Sequence, residues 1–148
     1  MNKATARLFL IALVFLTFTA CGNQPVSAPS GSTITVNPAS LNFPAPISSD
    51  TGTSTQGTQS TTFYITLVDS SEVPLNNTKL NIWLVIATNY MQFYDGDTAQ
   101  GTSFSATTDS FGTYTLTLAF EAGGGINYTN SIDISSGTAY QTIAISVH

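Results

Sequence analysis

From Thr113 to Phe120 the chain keeps its strictest rhythm: Tyr114, Leu116, Leu118 and Phe120 alternate with Thr113, Thr115, Thr117 and Ala119. A period of two sends alternate side chains to opposite faces of a pleated strand, so this stretch predicts a strand with one face in a core. Phe63, Ile65 and Leu67 alternate in the same way with Tyr64, Thr66 and Val68. Residues 79–86 set Leu80, Ile82, Leu84 and Ile86 against Asn81, Trp83 and Val85, while Ile143, Ile145 and Val147 stay in phase near the end. Ile132 with Ile134, Met91 to Tyr94, and Ser103 to Thr107 mark three shorter segments. Beyond residue 21 no stretch carries a helical period. Segments this short, at turn spacings of about eight to twelve residues, predict an all-β fold: an antiparallel sandwich of about seven strands.

Ahead of this body the pattern weakens. Ile34-Thr35-Val36 and Leu41-Asn42-Phe43 are each stopped by a proline, Pro38 and Pro44. Proline removes a ladder donor, so both predict short edge strands, and their membership of the sandwich stays open. Ser48 to Ser60 is polar and of low complexity, a long loop or a second linker. Residues 22–32, with Pro25 and Pro29 and no apolar period, read as a flexible spacer spanning roughly 18 Å. The expected organisation is a segment 1–20, a tether 21–60 carrying the two short strands, and a folded domain 61–148. Gly112 and Gly123-Gly124-Gly125 fall where tight turns need positive φ.

The first residues carry Lys3 and Arg7, and Leu8 to Ala20 runs without a charge. Thirteen residues make a helix of roughly 20 Å, short of the ~30 Å hydrocarbon core, so the run reads as an export signal and not a membrane span. The residue after the small Ala20 is Cys21, the one cysteine in the chain. Phe18-Thr19-Ala20-Cys21 resembles the end of a bacterial lipoprotein signal, with Phe18 where that family usually has Leu. The resemblance implies cleavage before Cys21, acylation there with palmitate among the chains, and anchoring in a bacterial cell envelope. Gly22 stands where Asp would favour inner-membrane retention, which implies an outer-membrane or cell-surface address in a Gram-negative source. The competing reading is an ordinary signal followed by an unpaired thiol, which in an exported protein invites intermolecular pairing. Lipidation removes that liability.

Cleavage would change the charge balance. The chain has 3 Lys+Arg and 8 Asp+Glu, and only Lys79 lies beyond the signal, so the remainder carries a formal −7. Nucleic-acid binding needs bases to neutralise phosphates and is excluded on that ground. With 42% hydrophobic but only 7% charged residues, solubility rests on Ser, Thr, Asn and Gln, a composition that suits strands and turns.

Three motifs in the body carry a second resemblance: Val68-Asp69 at a strand end, a turn with Pro74, and Thr108-Asp109 followed by Gly112 and an alternating strand. Over about Thr61 to His148 the chain is similar to the bacterial immunoglobulin-like repeats of invasin- and intimin-type adhesins. That implies an immunoglobulin-like sandwich and a surface role in adhesion. The usual glycine of the first turn is absent, since Ser70-Ser71-Glu72-Val73-Pro74 stands there, and a single repeat is present.

Candidate chemistry is sparse. The one histidine is His148, the last residue, so no Ser-His-Asp or Cys-His set can be assembled in a rigid site. Neither enzymatic activity nor a cofactor is expected. Asp95 and Asp97 are weak candidates for a calcium loop, because hard cations want several carboxylate oxygens, but the stretch after them lacks the remaining ligands. A solvated turn around Gly96 is the plainer reading. Trp83 and Tyr94, with Tyr64, Tyr90, Tyr128 and Tyr140, are the aromatic candidates for binding a glycan or protein partner. Against that, a tryptophan on an early sandwich strand is ordinarily core. Asn76-Asn77-Thr78 and Asn127-Tyr128-Thr129 match a glycosylation acceptor pattern by chance in a bacterial chain.

Two functions follow. One is a lipid-anchored structural or adhesion module held to the membrane through Cys21. The other is a carbohydrate- or small-ligand-binding envelope lipoprotein. Co-planar exposed aromatics would favour the second, and a polar face with an open strand edge the first.

Overall fold

Alternation becomes architecture wherever the inward row finds another inward row to pack on. The computed structural model describes residues 24–44, 58–120 and 128–148. The segment 1–20 read above as an export signal, Cys21, most of Ser48 to Ser60, and Gly123-Gly124-Gly125 lie outside those residues. The described residues form β1 (Thr33–Asn37), β2 (Ser40–Phe43), β3 (Gln59–Val68), β4 (Lys79–Leu84) and β5 (Met91–Asp95). Then come β6 (Thr98–Gly101), β7 (Ser103–Thr107), β8 (Thr113–Phe120), β9 (Tyr128–Ser136) and β10 (Ala139–Val147). One sheet has the order β1-β3-β8-β5-β6 and the other β2-β10-β9-β4-β7. Neighbours are antiparallel except β10 and β2, which run parallel. The protein is an all-β sandwich.

Between the sheets lies a dry layer. Phe63, Ile65 and Leu67 of β3 and Leu116 and Leu118 of β8 face Leu80 and Ile82 of β4, Ile132 and Ile134 of β9, and Ile143 and Ile145 of β10, all buried. Aromatic pairs join the layers: Phe43 to Phe120 at 5.8 Å, and Phe104 to Phe93 at 5.6 Å and to Tyr114 at 6.3 Å between ring centroids. Each side chain buried in this way is worth roughly 1.5–3 kcal/mol against its exposed state.

The structure departs from the sequence reading in four places. Ten strands stand among the described residues where about seven were expected. The strand without a signal is β6, whose Thr98-Ala99-Gln100-Gly101 buries no side chain and is paired only because the turn at Gly96 folds it onto β5. Secondly, β1 and β2 do join the sandwich, one at the edge of each sheet, where their prolines predict them. The chain crosses between sheets at Pro38, after a cis Asn37–Pro38 peptide, so the sandwich draws on residues ahead of Thr61. Thirdly, part of the expected spacer is docked. Lys79 N–H donates to the Val26 carbonyl at 2.8 Å, Ala28 N–H donates to Ser136 Oγ at 3.0 Å, and Ala28 is buried. A Cβ on Gly137 would collide with the Ala28 carbonyl, so the glycine admits this segment. Finally, Ile86 is 54% exposed, because β4 ends at Leu84. The Asn130 side chain takes both backbone groups of Ile86, accepting its N–H at 3.0 Å and donating to its carbonyl at 2.9 Å.

Two turns at one end are built alike. Asp69 Oδ1 accepts the N–H groups of Ser71 and Val73, and Asp109 Oδ1 those of Phe111 and Thr113, at 2.8 and 2.9 Å in each turn. In both, the aspartate N–H donates to the carbonyl four residues on, and the fourth residue has positive φ: 63° at Glu72 and 71° at Gly112. The glycine missing from the first turn is therefore replaced by a strained glutamate. Glu72→Gly should remove an αL penalty of about 1–2 kcal/mol while freeing the unfolded chain by about 0.4–1 kcal/mol, a net gain of up to about 1.6 kcal/mol. Gly112→Ala should do the reverse and lose about 2 kcal/mol or more, because its Cβ would lie 2.7 Å from the Leu67 carbonyl oxygen and 2.9 Å from Leu75 N. Denaturant melts of the two variants check both signs. A destabilised Glu72→Gly would show that the glutamate is not strained.

Candidate functional site

The outer face of the second sheet gathers the chemistry that its strands alternate away from the core. Trp83 of β4 lies opposite Asp133 of β9, which lies opposite Thr142 of β10. Thr142 Oγ1 donates to Asp133 Oδ1 at 2.7 Å. The Asp133 carboxylate beside the Tyr140 hydroxyl holds that phenol above its ordinary range. The Trp83 and Tyr140 rings stand 6.3 Å apart at 53°. Trp83 is thus half-buried on the outer face and not core, which corrects the expectation for a tryptophan on an early strand. Its parity, opposite Leu80 and Ile82, already pointed outward. Asp133 is only 9% exposed, is bonded by Thr142 and has Tyr140 beside it, so it sits at the centre of this cluster. Sequence reasoning had Tyr140 as one aromatic among several and missed Asp133, because β4, β9 and β10 meet only in the folded sheet.

Beside Trp83 an open groove of about 330 Å³ runs between β4 and β7, lined by Asn81, Ser103, Phe104 and Ser105. Rings tilted this far from one plane do not make a flat stacking platform for a sugar. The remaining aromatic candidates are scattered: Tyr64 and Tyr94 lie on the first sheet, Tyr90 in a loop, and Tyr128 against Asn130, to which its hydroxyl is bonded at 2.9 Å.

Asp95 and Asp97 flank Gly96, yet the hairpin separates their carboxylates. Burial of the Tyr114 ring against the core, and after it the neighbouring Asp95 carboxylate, push this phenol well above its usual range. Asp97 instead lines a groove of about 260 Å³ on the outer face, with Tyr94, Thr117 and Ser60. Among the described residues no three His, Cys, Asp or Glu side chains converge to hold a metal. Cys21 lies outside the described residues.

A further surface went unnoticed in the sequence. The two aspartate turns, the docked segment at Val26 and the β9–β10 hairpin all meet at one end of the sandwich. There Thr108 ties the loops together, its hydroxyl donating to the Leu75 carbonyl at 2.6 Å and accepting from Thr78 N–H at 3.0 Å. Hydrogen bonds from the backbone and hydroxyl of Thr113, and from Phe111 N–H, hold the Asp109 carboxyl below its ordinary value of 3.8. Exposed on the same turns are Val73 and Phe111. Single apolar residues in turn sequences give no periodic signal.

No protein-family model matches the chain, and no curated protein matches its sequence. Among solved structures it is similar to domains 4 and 5 of the S-layer protein SbsC, at 20% identity and a TM-score of 0.49, over 83% of this chain and 53% of that one. This chain therefore spans about half the length of that structure. It is also similar to a PapD-like domain of human CEP192, at 14% identity and a TM-score of 0.45, over 84% and 89% of the two chains. A third likeness is to AggA, the major subunit of aggregative adherence fimbriae type I from Escherichia coli, at 12% identity and a TM-score of 0.43, over 84% and 99%. None of these likenesses bears on what this chain binds.

Two outcomes test the roles given to the acids. A carboxyl held low in the folded state adds stability that is complete above its unfolded value and is lost as pH falls through the folded one. Thermal melts between about pH 5 and 2 should therefore show a loss in the wild type that is smaller in Asp109→Ala, which is less stable throughout. Millimolar calcium and magnesium should shift the melting temperature alike, by screening the net negative charge. A rise specific to calcium and abolished by Asp97→Asn would restore a metal site.

Proposed function

We propose that this chain is a lipid-anchored, non-catalytic, immunoglobulin-like module of a bacterial cell surface, in a structural or adhesive role toward a protein or glycan partner. The observation that carries the reading is the join between anchor and body. The lipoprotein-type Phe18-Thr19-Ala20-Cys21 stands five residues ahead of Val26, and Val26 is already bonded into the sandwich through Lys79. A domain coupled so tightly to an acylation signal is built to be held at a membrane and not to roam from it.

The polar groups support a structural part. Asp69 and Asp109 lock turns, Asp133 and Asn130 tie strands and loops, and the residues behind the resemblance to adhesin repeats are the ones that pin this end. The glycan-binding alternative draws less support, since Trp83 and Tyr140 pack on one another at an angle. The four sheet edges, β1, β2, β6 and β7, are each only four or five residues long. That limits how far a partner strand could be added.

Detergent phase partitioning of membranes from cells making the full chain tests the anchor. Each buried CH₂ contributes about 0.8 kcal/mol, so several acyl chains hold a protein in the detergent phase essentially irreversibly. Wild type should partition there, and Cys21→Ser should move to the aqueous phase or remain uncut. Wild-type protein found in the aqueous phase would overturn the anchor.

A further inference from the structure

We propose that the end of the sandwich bearing Phe111, Val73 and Val26 seats in a zwitterionic lipid surface, so that the domain stands on the membrane by this end and does not swing above it. The inference rests on the lipid anchor at Cys21 and adds to it the face that meets the lipid.

Phe111, Val73 and Val26 are 74%, 55% and 62% exposed, the first being the most exposed large apolar side chain among the described residues. They sit on neighbouring segments. Phe111 precedes Gly112, where a Cβ would lie 3.0 Å from that of Pro74, and Pro74 follows Val73. Asn77 N–H donates to the Thr108 carbonyl at 3.0 Å, and Lys79 N–H to the Val26 carbonyl at 2.8 Å, which sets all three segments side by side. The chain between Cys21 and Val26 decides what covers them. Five residues reach at most about 18 Å when fully extended, so an acylated Cys21 keeps this end beside the head groups. Tethering on that scale supplies an effective concentration in the millimolar range, at which even a weak apolar contact is populated. Three side chains on separate turns are few for a stable protein interface, which needs about 800 Å² from each partner. They suit an interface that the anchor already holds close. Among the described residues Asp69, Glu72 and Asp109 share the end with Lys79 alone, so a neutral surface is favoured over an anionic one.

The test uses the acylated full-length protein in phosphatidylcholine vesicles. With Cys21 blocked by its lipid, a cysteine introduced at Phe111 is the one free thiol and takes an environment-sensitive fluorophore; Tyr90→Cys, in the loop before β5 at the opposite end, is the control. Mass spectrometry first reports whether Cys21 carries its lipid. The expected result is a blue-shifted probe at 111 that is quenched by nitroxide-bearing lipid, with the probe at 90 aqueous and unquenched. Phe111→Cys aqueous in a protein shown to be acylated overturns the seating while leaving the anchor intact. A Cys21 found unacylated overturns both. Equal shielding of both probes overturns the stated end, since the domain would then lie on its side.

Discussion

Everything in the described structure depends on keeping water out of one layer between two sheets. Phe63, Phe93, Ile65, Leu67, Leu118, Ile132 and Ile134 are fully buried there, and none of them has a polar atom to satisfy. Such a layer is bought only if every strand stays in phase, because a slip of one residue would turn its apolar row to solvent. The central strands meet this with long ladders: β9 pairs with β10 over nine positions and β3 with β8 over eight. The margins meet it differently. At each margin the chain changes sheet, from β1 to β2 and from β6 to β7, so each edge strand is short and the dry layer is closed from the side.

Several acids of the described residues serve to hold the fold. Asp69 and Asp109 each collect two backbone N–H groups that a turn would otherwise leave to water, and Asp133 takes the Thr142 hydroxyl across β9 and β10. A carboxylate with its lone pairs engaged in this way fixes geometry, and it has less to offer a substrate or an ion. The outward rows of the first sheet tell the same story with neutral groups, as where Thr62 and Thr117 share a hydrogen bond of 3.0 Å between hydroxyls. Threonine suits such a face: its β-branched side chain fits the pleat and its hydroxyl keeps the surface wet without charge.

The two ends of the sandwich differ in kind. One is knitted by the docked segment, both aspartate turns and Thr108, and it is the end from which the chain leads back toward Cys21. At the other, Asn130 holds the turn after β4 through both backbone groups of Ile86, and the Gln59 side chain reaches the Pro44 carbonyl at 3.2 Å. With Lys79 the one Lys or Arg among the described residues, this body has little electrostatic reason to approach an anionic surface.

By itself the sequence determined the class of fold, most of the strands and which face of each lies inward, because a period of two is a local property and burial merely obeys it. It also determined where β1 and β2 stop, since proline acts on its own backbone, and it put Trp83 on the outward row even where general experience of tryptophan argued for the core. The tertiary structure alone decided that β6 is a strand, that Val26 and Ala28 dock, and that Ile86 is left outside. In each case the deciding partner is distant in sequence or silent in hydropathy: a hairpin fold-back at Gly96, a gap over Gly137, the side chain of Asn130. It alone decided, too, that Asp95 and Asp97 part company while Trp83, Asp133 and Tyr140 come together. Adjacent residues diverge because a turn sends their side chains to different faces, and distant ones converge because strand pairing, not chain order, sets the neighbours.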